Sequence, residues 1–387
     1  MRHLSLFLRL INMKKIGIYV HFPFCVSKCK YCNFNSYADK NELQQEYLRA
    51  LVQEICNYSN KSVVVDTIFI GGGTPSVMFD GCVSTLLSAI RSNFKVEKNA
   101  EITIESNPNS ITLNKVREWQ EAGINRVSIG LQTANNSCLK LLGRVHTRQD
   151  YINAVDTIKS VGINNINTDC LIGIPKQKLS DVRYMLGLIN KLKCPHISVY
   201  SLILEEDTEL CRLVRAGAVK LPKEAKTLGM YNYTLKFLRE QGYDRYEVSN
   251  FCKPNMDCKH NHNIWNMAEY LGFGAGAHSY FDGVRYSNVL SVEGYISGIN
   301  SGSGVVDARE NMTKEELLEE TIMLGLRTSR GINLDNINKN FGIDLLSTKE
   351  KEIKYLMDNG FIDIKDGYLY ATDLGFTVLN RIILELV

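Results

Sequence analysis

The sequence has little net charge, no long apolar run and an odd number of cysteines, which excludes complete disulfide pairing. Each of these features argues against a class of protein. Lys and Arg exceed Asp and Glu by three over 387 residues, which gives no whole-chain case for nucleic acid or an anionic membrane as the main partner. The apolar run at residues 4–10 is too short to span a bilayer and lacks the pattern of a signal peptide. No other segment reads as transmembrane.

Eleven cysteines form an odd set in a long chain, whereas disulfide scaffolds are typical of short secreted domains. Most of these cysteines lie in apolar periodic stretches, where a thiol behaves as a small hydrophobe. We therefore expect a reducing compartment and a cytoplasmic location.

The first two hundred residues alternate short β-branched runs with amphipathic helical patterns. Six strands with five intervening helices predict parallel βαβ units, arranged as an open sheet or a partial barrel in an α/β fold. Strands are predicted near residues 16–21, 63–71, 101–105, 126–132, 165–172 and 196–202, and helices at 41–58, 81–92, 112–123, 148–161 and 180–192.

Composition divides the chain into successive regions. Residues 1–12 read as an upstream extension, because Met13 leads directly into the first strand. Residues 13–220 are predicted to form the barrel and residues 221–296 an extension of it. The Gly/Ser-rich segment at 297–304 marks a boundary, after which residues 297–387 are predicted to form a helical C-terminal domain.

The C-terminal region has the pattern of a small winged helix. Helices are predicted at residues 313–327, 334–341 and 347–359, followed by a hairpin around Asp366-Gly367 and a closing helix. From Glu310 to Val387 there are nine Lys/Arg and fourteen Asp/Glu, a net charge of −5. A duplex-binding domain needs a cationic surface, so a packing or lid domain is predicted and nucleic acid is not expected as a partner.

The most informative motif is a C-x3-C-x2-C spacing directly after the first strand, formed by Cys25, Cys29 and Cys32. Three thiolates on one loop can ligate three irons of a cubane and leave the fourth iron open. Structural zinc requires four closed ligands. His21 could be a fourth ligand, but it lies within the predicted strand. The spacing therefore favours a [4Fe–4S] cluster.

Polar groups and glycines follow the carboxyl ends of several predicted strands. Glycines allow a ligand close to the backbone, and a carboxylate at such a position can bind ribose hydroxyls. Each residue alone is more often structural, but together they mark the edge where α/β proteins bind ligands. The candidates are Gly72, Gly73, Thr74, Glu105, Gln132, Arg144 and Asp169.

These motifs resemble the radical-SAM superfamily, and within it a subfamily of oxygen-independent coproporphyrinogen dehydrogenases and HemW-type haem chaperones. The resemblance covers nearly the whole chain. It is carried by YVHFPFC (19–25), GGGTPS (71–76), NRVSIGLQ (125–132), LGRVH (142–146), DCLIGIPKQ (169–177) and YEVSNF (246–251).

The resemblance implies a partial (β/α)6 TIM-like barrel with the cluster at its mouth, followed by the small winged-helix-like domain. It also implies S-adenosylmethionine (SAM) as a cofactor, which the reduced cluster cleaves to a 5′-deoxyadenosyl radical. The SAM site implied by the resemblance comprises Tyr19, Gly72, Gly73, Thr74, Glu105, Gln132, Arg144 and Asp169.

Two departures favour the chaperone branch of the subfamily. The dehydrogenases carry a further cysteine two residues after the third ligand, where this chain has Phe34. They also share a longer N-terminal arm, whereas 24 residues precede Cys25 here.

The chaperone branch carries an H-N-x-x-Y-W element, matched here by HNHNIW at 260–265 with Ile264 in place of tyrosine. Imidazole is a good axial ligand for haem iron, so the resemblance implies haem at His260, ahead of His262 and Cys258. From the chemistry alone, a structural hydrogen bond near the barrel mouth is the favoured role for His260, because one histidine is a weak haem signal.

Three functions are compatible with the sequence. The first is a haem chaperone that binds haem and delivers it to a respiratory apoprotein. The second is a dehydrogenase that converts coproporphyrinogen III to protoporphyrinogen IX. The third, a regulator that binds nucleic acid through the C-terminal domain, is disfavoured by the acidic charge balance.

Overall fold

The computed structural model describes residues 13–387, so the predicted upstream extension at 1–12 lies outside the described residues. A twelve-stranded sheet forms the main body, in the order β12-β11-β10-β9-β1-β2-β3-β4-β5-β6-β8-β7. Strands β1 to β6 are parallel and consecutive, as expected for right-handed βαβ units. This confirms the predicted α/β class.

The sheet strands have the following bounds: β1 Lys14–Phe22, β2 Asn60–Gly72, β3 Phe94–Ser106, β4 Arg126–Gln132, β5 Asn165–Ile172, β6 His196–Ser201, β7 Asp244–Arg245, β8 Asn250–Cys252, β9 Tyr270–Phe273, β10 His278–Phe281, β11 Val284–Asn288 and β12 Val306–Asn311.

The helices in this body are α1 Gln44–Asn57, α2 Cys82–Asn93, α3 Leu113–Ala122, α4 Asn136–Leu141, α5 Arg148–Ser160, α6 Leu179–Lys191, α7 Glu209–Arg215, α8 Glu224–Glu240, α9 Lys259–Trp265 and α10 Val292–Ser301. Several begin with a side-chain cap; Thr147, for example, forms a capping box with Asp150 at the start of α5.

One continuous apolar core joins the outer face of the sheet to these helices. Alternate residues of the parallel strands point outward into this core, as Ile16, Ile18 and Val20 do in β1. The intervening residues point inward and are largely polar or small. The inner face is therefore available for chemistry.

The structure moves the predicted domain boundary. Residues 297–301, predicted from their Gly/Ser content to lie at the boundary and to begin the C-terminal domain, form the end of α10, and Val305 packs into the main core. Strand β12 then pairs with β11 as far as Asn311. The second domain therefore begins after Asn311, because the Gly/Ser-rich segment is a helix end and a turn within the barrel extension.

The C-terminal domain has its own core and consists of α11 Lys314–Gly325, β13 Ile332–Asn333, α12 Leu334–Phe341, α13 Leu345–Thr348, α14 Glu350–Asp358, β14 Ile362–Lys365, β15 Tyr368–Ala371 and α15 Leu379–Leu386. Three of its strands form a small sheet in the order β13-β15-β14. Helices followed by a two-stranded wing are the arrangement that the sequence predicts.

The C-terminal domain contacts both sides of the open barrel. On one side the Val248 N–H donates to the Arg327 carbonyl (2.9 Å), and Asp373 accepts from Arg245 (2.6 Å). On the other side Glu320 pairs with Arg285 of β11 (2.6 Å). The domain therefore bridges the two edges of the sheet. Between residues 13 and 387, none of the helices combines the length and apolarity needed to cross a bilayer.

Candidate functional site

The parallel strands place the three cysteines and the histidine-rich element at opposite ends of the barrel. Cys25 follows the carboxyl end of β1, which finishes at Phe22. His260 lies beside Gly17 and Thr67, near the amino ends of β1 and β2. Five residues of strand separate Gly17 from Phe22, or roughly 17 Å. We call these the cysteine end and the histidine end.

The cysteine loop is fixed by backbone hydrogen bonds on several sides. The Cys25 N–H donates to the Tyr37 carbonyl (2.8 Å), and the Tyr37 N–H donates to Pro23 (2.7 Å). In the middle of the loop, the Lys30 N–H donates to Leu142 (3.0 Å), and the Lys30 carbonyl accepts from Leu210 (2.7 Å). The loop therefore holds its thiols in place through the backbone.

The three thiols differ in their surroundings. Cys25 is buried, and its Sγ lies 3.3 Å from Thr74 Oγ1. Cys29 Sγ accepts from Arg144 (3.4 Å). Burial raises the pKa of both Cys25 and Cys32, so these thiols favour the protonated form until a cation replaces the proton.

No group of three His, Cys, Asp or Glu side chains in residues 13–387 gathers around a single metal-ion position. A cubane offers a separate iron to each thiolate and does not need that convergence. Three cysteines on one fixed loop, all free thiols, therefore fit a [4Fe–4S] cluster.

Arg144 links the cysteine loop to two strand ends. Its guanidinium donates to Cys29 Sγ, to the Gly130 carbonyl of β4 (2.8 Å) and to Asn107 Oδ1. The Asn107 amide in turn donates to Thr74 Oγ1 (3.0 Å). A planar fork of donors suits this multiple contact better than a lysine ammonium. Sequence reasoning missed Asn107, whose only signal was its position directly after β3.

The glycine run after β2 lies very close to the end of β1 and the start of the cysteine loop. Gly72 has φ +114°, and a Cβ there would lie 2.6 Å from the His21 ring. A Cβ on Gly73 would lie 2.7 Å from the Phe24 carbonyl. Side chains are therefore excluded at both positions, because His21 and Phe24 occupy the space.

His21 connects Tyr19 with the end of the cysteine loop. Its Nε2 faces the Asn35 carbonyl (2.8 Å), an acceptor, so Nε2 carries the proton and Nδ1 accepts from the Tyr19 hydroxyl (2.9 Å). Burial lowers the pKa of His21, which keeps the ring neutral. His21 therefore holds the loop, and its ring nitrogens are not available as a fourth metal ligand.

Two carboxylates line the next strand ends. Glu105 accepts from the Gly72 N–H (3.0 Å), and burial, with Asp169 nearby, raises its pKa to about 7. Asp169 accepts from Ser128 and from Asn167, both at 2.8 Å. The two carboxyl groups face the same space inside the barrel.

Gln132 ends β4 in the left-handed region, with φ +64°. The register between β4 and β5 shifts between Gly130 and Gln132, which is typical of a bulge that redirects a side chain near a site. Gly130 lies beside Gln132 Nε2 and Arg144 Nη2, which would approach an added Cβ at 3.1 and 3.0 Å. The structure thus brings together all eight residues predicted for the SAM site.

Below Asp169, a buried polar chain runs towards the histidine end. Asn167 Nδ2 donates to Asp169, so its Oδ1 is the acceptor for His196 Nδ1–H (2.7 Å). His196 Nε2 then accepts from the Tyr246 hydroxyl (2.9 Å), which accepts from the Cys258 N–H (3.4 Å). Sequence reasoning missed this chain because its members come from distant segments.

His260 is placed far from the cysteines, which corrects the expectation of a role at the barrel mouth. Its Nδ1 bonds Thr67 Oγ1 (3.0 Å), its ring stacks on Phe69 with centroids 5.2 Å apart, and the residue is 2% exposed. Burial, together with Arg126, lowers its pKa to about 3. His260 is therefore neutral and enclosed.

Glu101 organises the helix that carries His260. Its carboxylate accepts from the Cys258 thiol (3.3 Å) and from the N–H groups of Lys259 and His260 (both 3.1 Å). The buried Arg126 supplies the countercharge. The histidine end thus has the features of a packed polar core.

Comparison with known proteins agrees with this geometry. The model of the Radical SAM superfamily matches residues 19–189, and that of the HemN C-terminal domain matches residues 312–378. The chain is 35% identical to "Heme chaperone HemW" of Bacillus subtilis, covering 94% of this chain and 97% of that protein. It is 33% identical to "Heme chaperone HemW" of Lactococcus lactis, covering 95% and 96%.

Among solved structures, the coproporphyrinogen III oxidase HemN of Escherichia coli superposes with a TM-score of 0.85, covering 99% of this chain and 93% of that one. At 21% identity this likeness shows the fold. Radical-SAM proteins use a [4Fe–4S] cluster and SAM, and the residues at the cysteine end suit both. The chain therefore belongs to the HemW family of radical-SAM proteins.

Proposed function

We propose that this protein is a haem chaperone that holds a [4Fe–4S] cluster and SAM at the cysteine end, binds haem and delivers it to respiratory apoproteins. The observation that carries the proposal is the alignment with curated haem chaperones over 94–95% of the chain. Phe34 adds to it, because the dehydrogenase branch has a cysteine at this place.

The residues of the cysteine end have distinct tasks in this proposal. Cys25, Cys29 and Cys32 would ligate three irons of the cluster. When bound, the cluster supplies an iron with an open position and an electron for SAM cleavage. Arg144 donates to Cys29 Sγ and so places a positive charge beside the thiolate. It would favour the anionic form of the cluster ligands.

The other residues would bind and orient SAM. Glu105 and Asp169 lie at neighbouring strand ends, where carboxylates can bind hydroxyl or ammonium groups. Gly72 and Gly73 are partly exposed and let the end of β2 pack against His21 and Phe24. Tyr19 and His21 keep the loop and the first strand in register.

A transfer experiment tests the proposal. The protein is reconstituted anaerobically, loaded with one equivalent of haemin, freed of unbound haemin and mixed with haem-depleted respiratory membranes. We expect the membranes to regain haem absorbance faster than apomyoglobin, a generic acceptor, removes haem from the protein. If the protein retains no haemin, or transfers it at the rate of haemin alone, the proposal fails.

The second candidate is the dehydrogenase, the activity of the other branch of the subfamily that the sequence motifs resemble. The assay combines the reconstituted protein with coproporphyrinogen III, SAM and a strong reductant, and follows loss of two carboxyl groups by mass spectrometry. Under our proposal no conversion occurs while the cluster is intact. Stoichiometric conversion would assign the dehydrogenase despite Phe34.

A further inference from the structure

The exposed fraction and ring hydrogen bonds of each histidine indicate which of them could bind haem iron without rearrangement. His146, His196 and His260 are buried at 3%, 0% and 2% exposure. His21 is buried at 6% and uses both ring nitrogens in hydrogen bonds. His278, by contrast, is an exposed histidine at the cysteine end.

His278 lies beside the inner face of the barrel at the cysteine end. Gly272 of β9 pairs with Tyr19 of β1, so the Cα–Cβ direction of Gly272 is that of Tyr19, towards the inner face. The His278 carbonyl occupies this direction, since a Cβ on Gly272 would lie 2.0 Å from it. The backbone of His278 therefore crosses the inner face beside Tyr19, and the residue is exposed.

The effect of His278 on the pKa of His21 also places the two rings near each other. The pKa of His21 is lowered first by burial, and His278 contributes to the shift as a nearby potential positive charge. The turn that leads into His278 is fixed from the other side, since the Asn35 amide donates to the Ala275 carbonyl (3.1 Å). The imidazole therefore stands beside the cysteine loop.

Two large apolar side chains lie exposed at the same place. Phe34 is 66% exposed and Leu290 is 60% exposed. Their segments are tied together by the Asn35 side chain, which also donates to the Leu290 carbonyl (3.0 Å). Exposed apolar side chains close to one another at a site mouth are typical of a ligand surface.

A cation adjoins the apolar surface. The exposed Lys28 donates to the carbonyls of Phe34 and Ser36, both at 2.9 Å, and within residues 13–387 no carboxylate lies within ion-pair distance of its ammonium group. An imidazole can bind the haem iron and an apolar surface can contact the macrocycle. A cation without a carboxylate partner can pair with a haem propionate.

We propose that haem binds at the cysteine end, with the His278 imidazole as an axial ligand, Phe34 and Leu290 against the macrocycle and Lys28 at a propionate. This inference rests on the proposed haem-binding function and changes the location expected from the HNHNIW element. His260 then has a structural role at the opposite end of the barrel.

The test is a titration of the anaerobically reconstituted full chain with haemin, followed by the Soret band and by the ligand-field bands. We expect His278→Ala to weaken binding at least tenfold and to change the Soret maximum, while its cluster content stays that of the wild type. His278→Tyr serves as a second variant, because a tyrosinate ligand produces a different ligand-field spectrum, which a merely structural residue would not.

Matched controls separate the site from the rest of the surface. His262→Ala changes a partly exposed histidine at the other end, and Leu384→Ala changes a 71% exposed leucine in the C-terminal domain; both should bind haemin like the wild type. Phe34→Ala and Leu290→Ala should each weaken binding a few-fold.

The outcomes distinguish this inference from the proposed function. If the wild type gives no haemin-dependent Soret band, the haem chaperone function itself fails, and this inference with it. If the wild type binds haemin, and His278→Ala and His278→Tyr bind it with the same affinity and spectrum as the wild type, only this inference is overturned. Loss of the ligand-field bands in His260→Asn, with intact cluster content, would also overturn it.

Discussion

The two ends of the barrel are built on the same parallel strands but have opposite construction. At the cysteine end, loops carry exposed apolar side chains, and Gly72 and Gly73 are partly exposed. At the histidine end, Glu101, Arg126 and His260 are buried, the Glu101 carboxylate accepts from the Cys258 thiol and the His260 N–H, and His260 Nδ1 bonds Thr67. The first arrangement leaves room for ligands, and the second stabilises the fold.

The type of a residue does not by itself reveal its role. His260 and His278 are both imidazoles in the barrel extension, yet one is enclosed and the other reaches solvent. A buried neutral histidine with a hydrogen-bonded ring needs rearrangement before it can bind a ligand. The predictions below test whether the two ends separate in this way.

The largest expected effect is on the cluster. Cys29→Ala removes one of three thiolates at the cysteine end and should reduce iron and sulfide after anaerobic reconstitution to background. Cys56→Ala, at an exposed cysteine on α1, should retain the full content. Equal iron and sulfide in the two variants would remove the basis for assigning the cofactor to this end.

The next largest effect is on stability at the histidine end. Glu101→Ala removes three hydrogen bonds at the start of α9 and one of the two carboxylates whose charges act on the buried Arg126, which should cost about 3–5 kcal/mol in the free energy of unfolding. Urea unfolding measures it. Glu121→Ala, at an exposed position, is the control; a similarly small change in both variants would mean that Glu101 is not structural.

A smaller effect concerns pH. The pKa of His260 is about 3 in the folded protein and about 6.5 when unfolded, so the unfolded chain takes up a proton below pH 6.5. Stability from this residue is present above pH 6.5 and is lost as the pH falls towards 3, by about 2 kcal/mol between pH 7 and pH 5. His260→Asn should show a shallower loss in urea unfolding at these pH values; parallel curves would contradict the burial of a neutral ring.

The smallest effect returns to the cysteine end. Arg144→Lys keeps the charge but loses the planar fork that contacts Cys29, Gly130 and Asn107. We expect SAM to bind about tenfold more weakly, or about 1.4 kcal/mol, as measured by equilibrium dialysis of the reconstituted protein. Arg117→Lys on the exposed side of α3 should not change SAM binding. Unchanged affinity in both would assign Arg144 a role in folding alone.

The parallel strands could be predicted from the sequence because their signal is local. Strands β4 and β5 have the bounds that the pattern predicts, since apolar residues alternate with polar or small ones along much of both segments. Strand β12 was missed because all six of its residues are exposed; only its pairing with β11 makes it a strand. The domain boundary was misplaced for the same reason.

At the site, the cysteine spacing and the glycine run are local motifs, so they could be found in the sequence. The position of His260 depends on how residues 259–265 pack beneath the barrel, and this is set by Glu101, more than 150 residues earlier. The place of His278 beside Tyr19 likewise follows from the pairing of β9 with β1. Contacts between distant segments leave no local pattern from which they could be predicted.

Electron paramagnetic resonance of the reduced, reconstituted protein with and without SAM tests most directly the claim that cofactor chemistry belongs to the cysteine end. We predict the signal of a [4Fe–4S] cluster whose g-values shift when SAM is added, because SAM reaches an iron that the three cysteines leave open. The shift should be lost in Asp169→Ala, with the cluster retained. A cluster signal that is unchanged by SAM in the wild type would contradict the account.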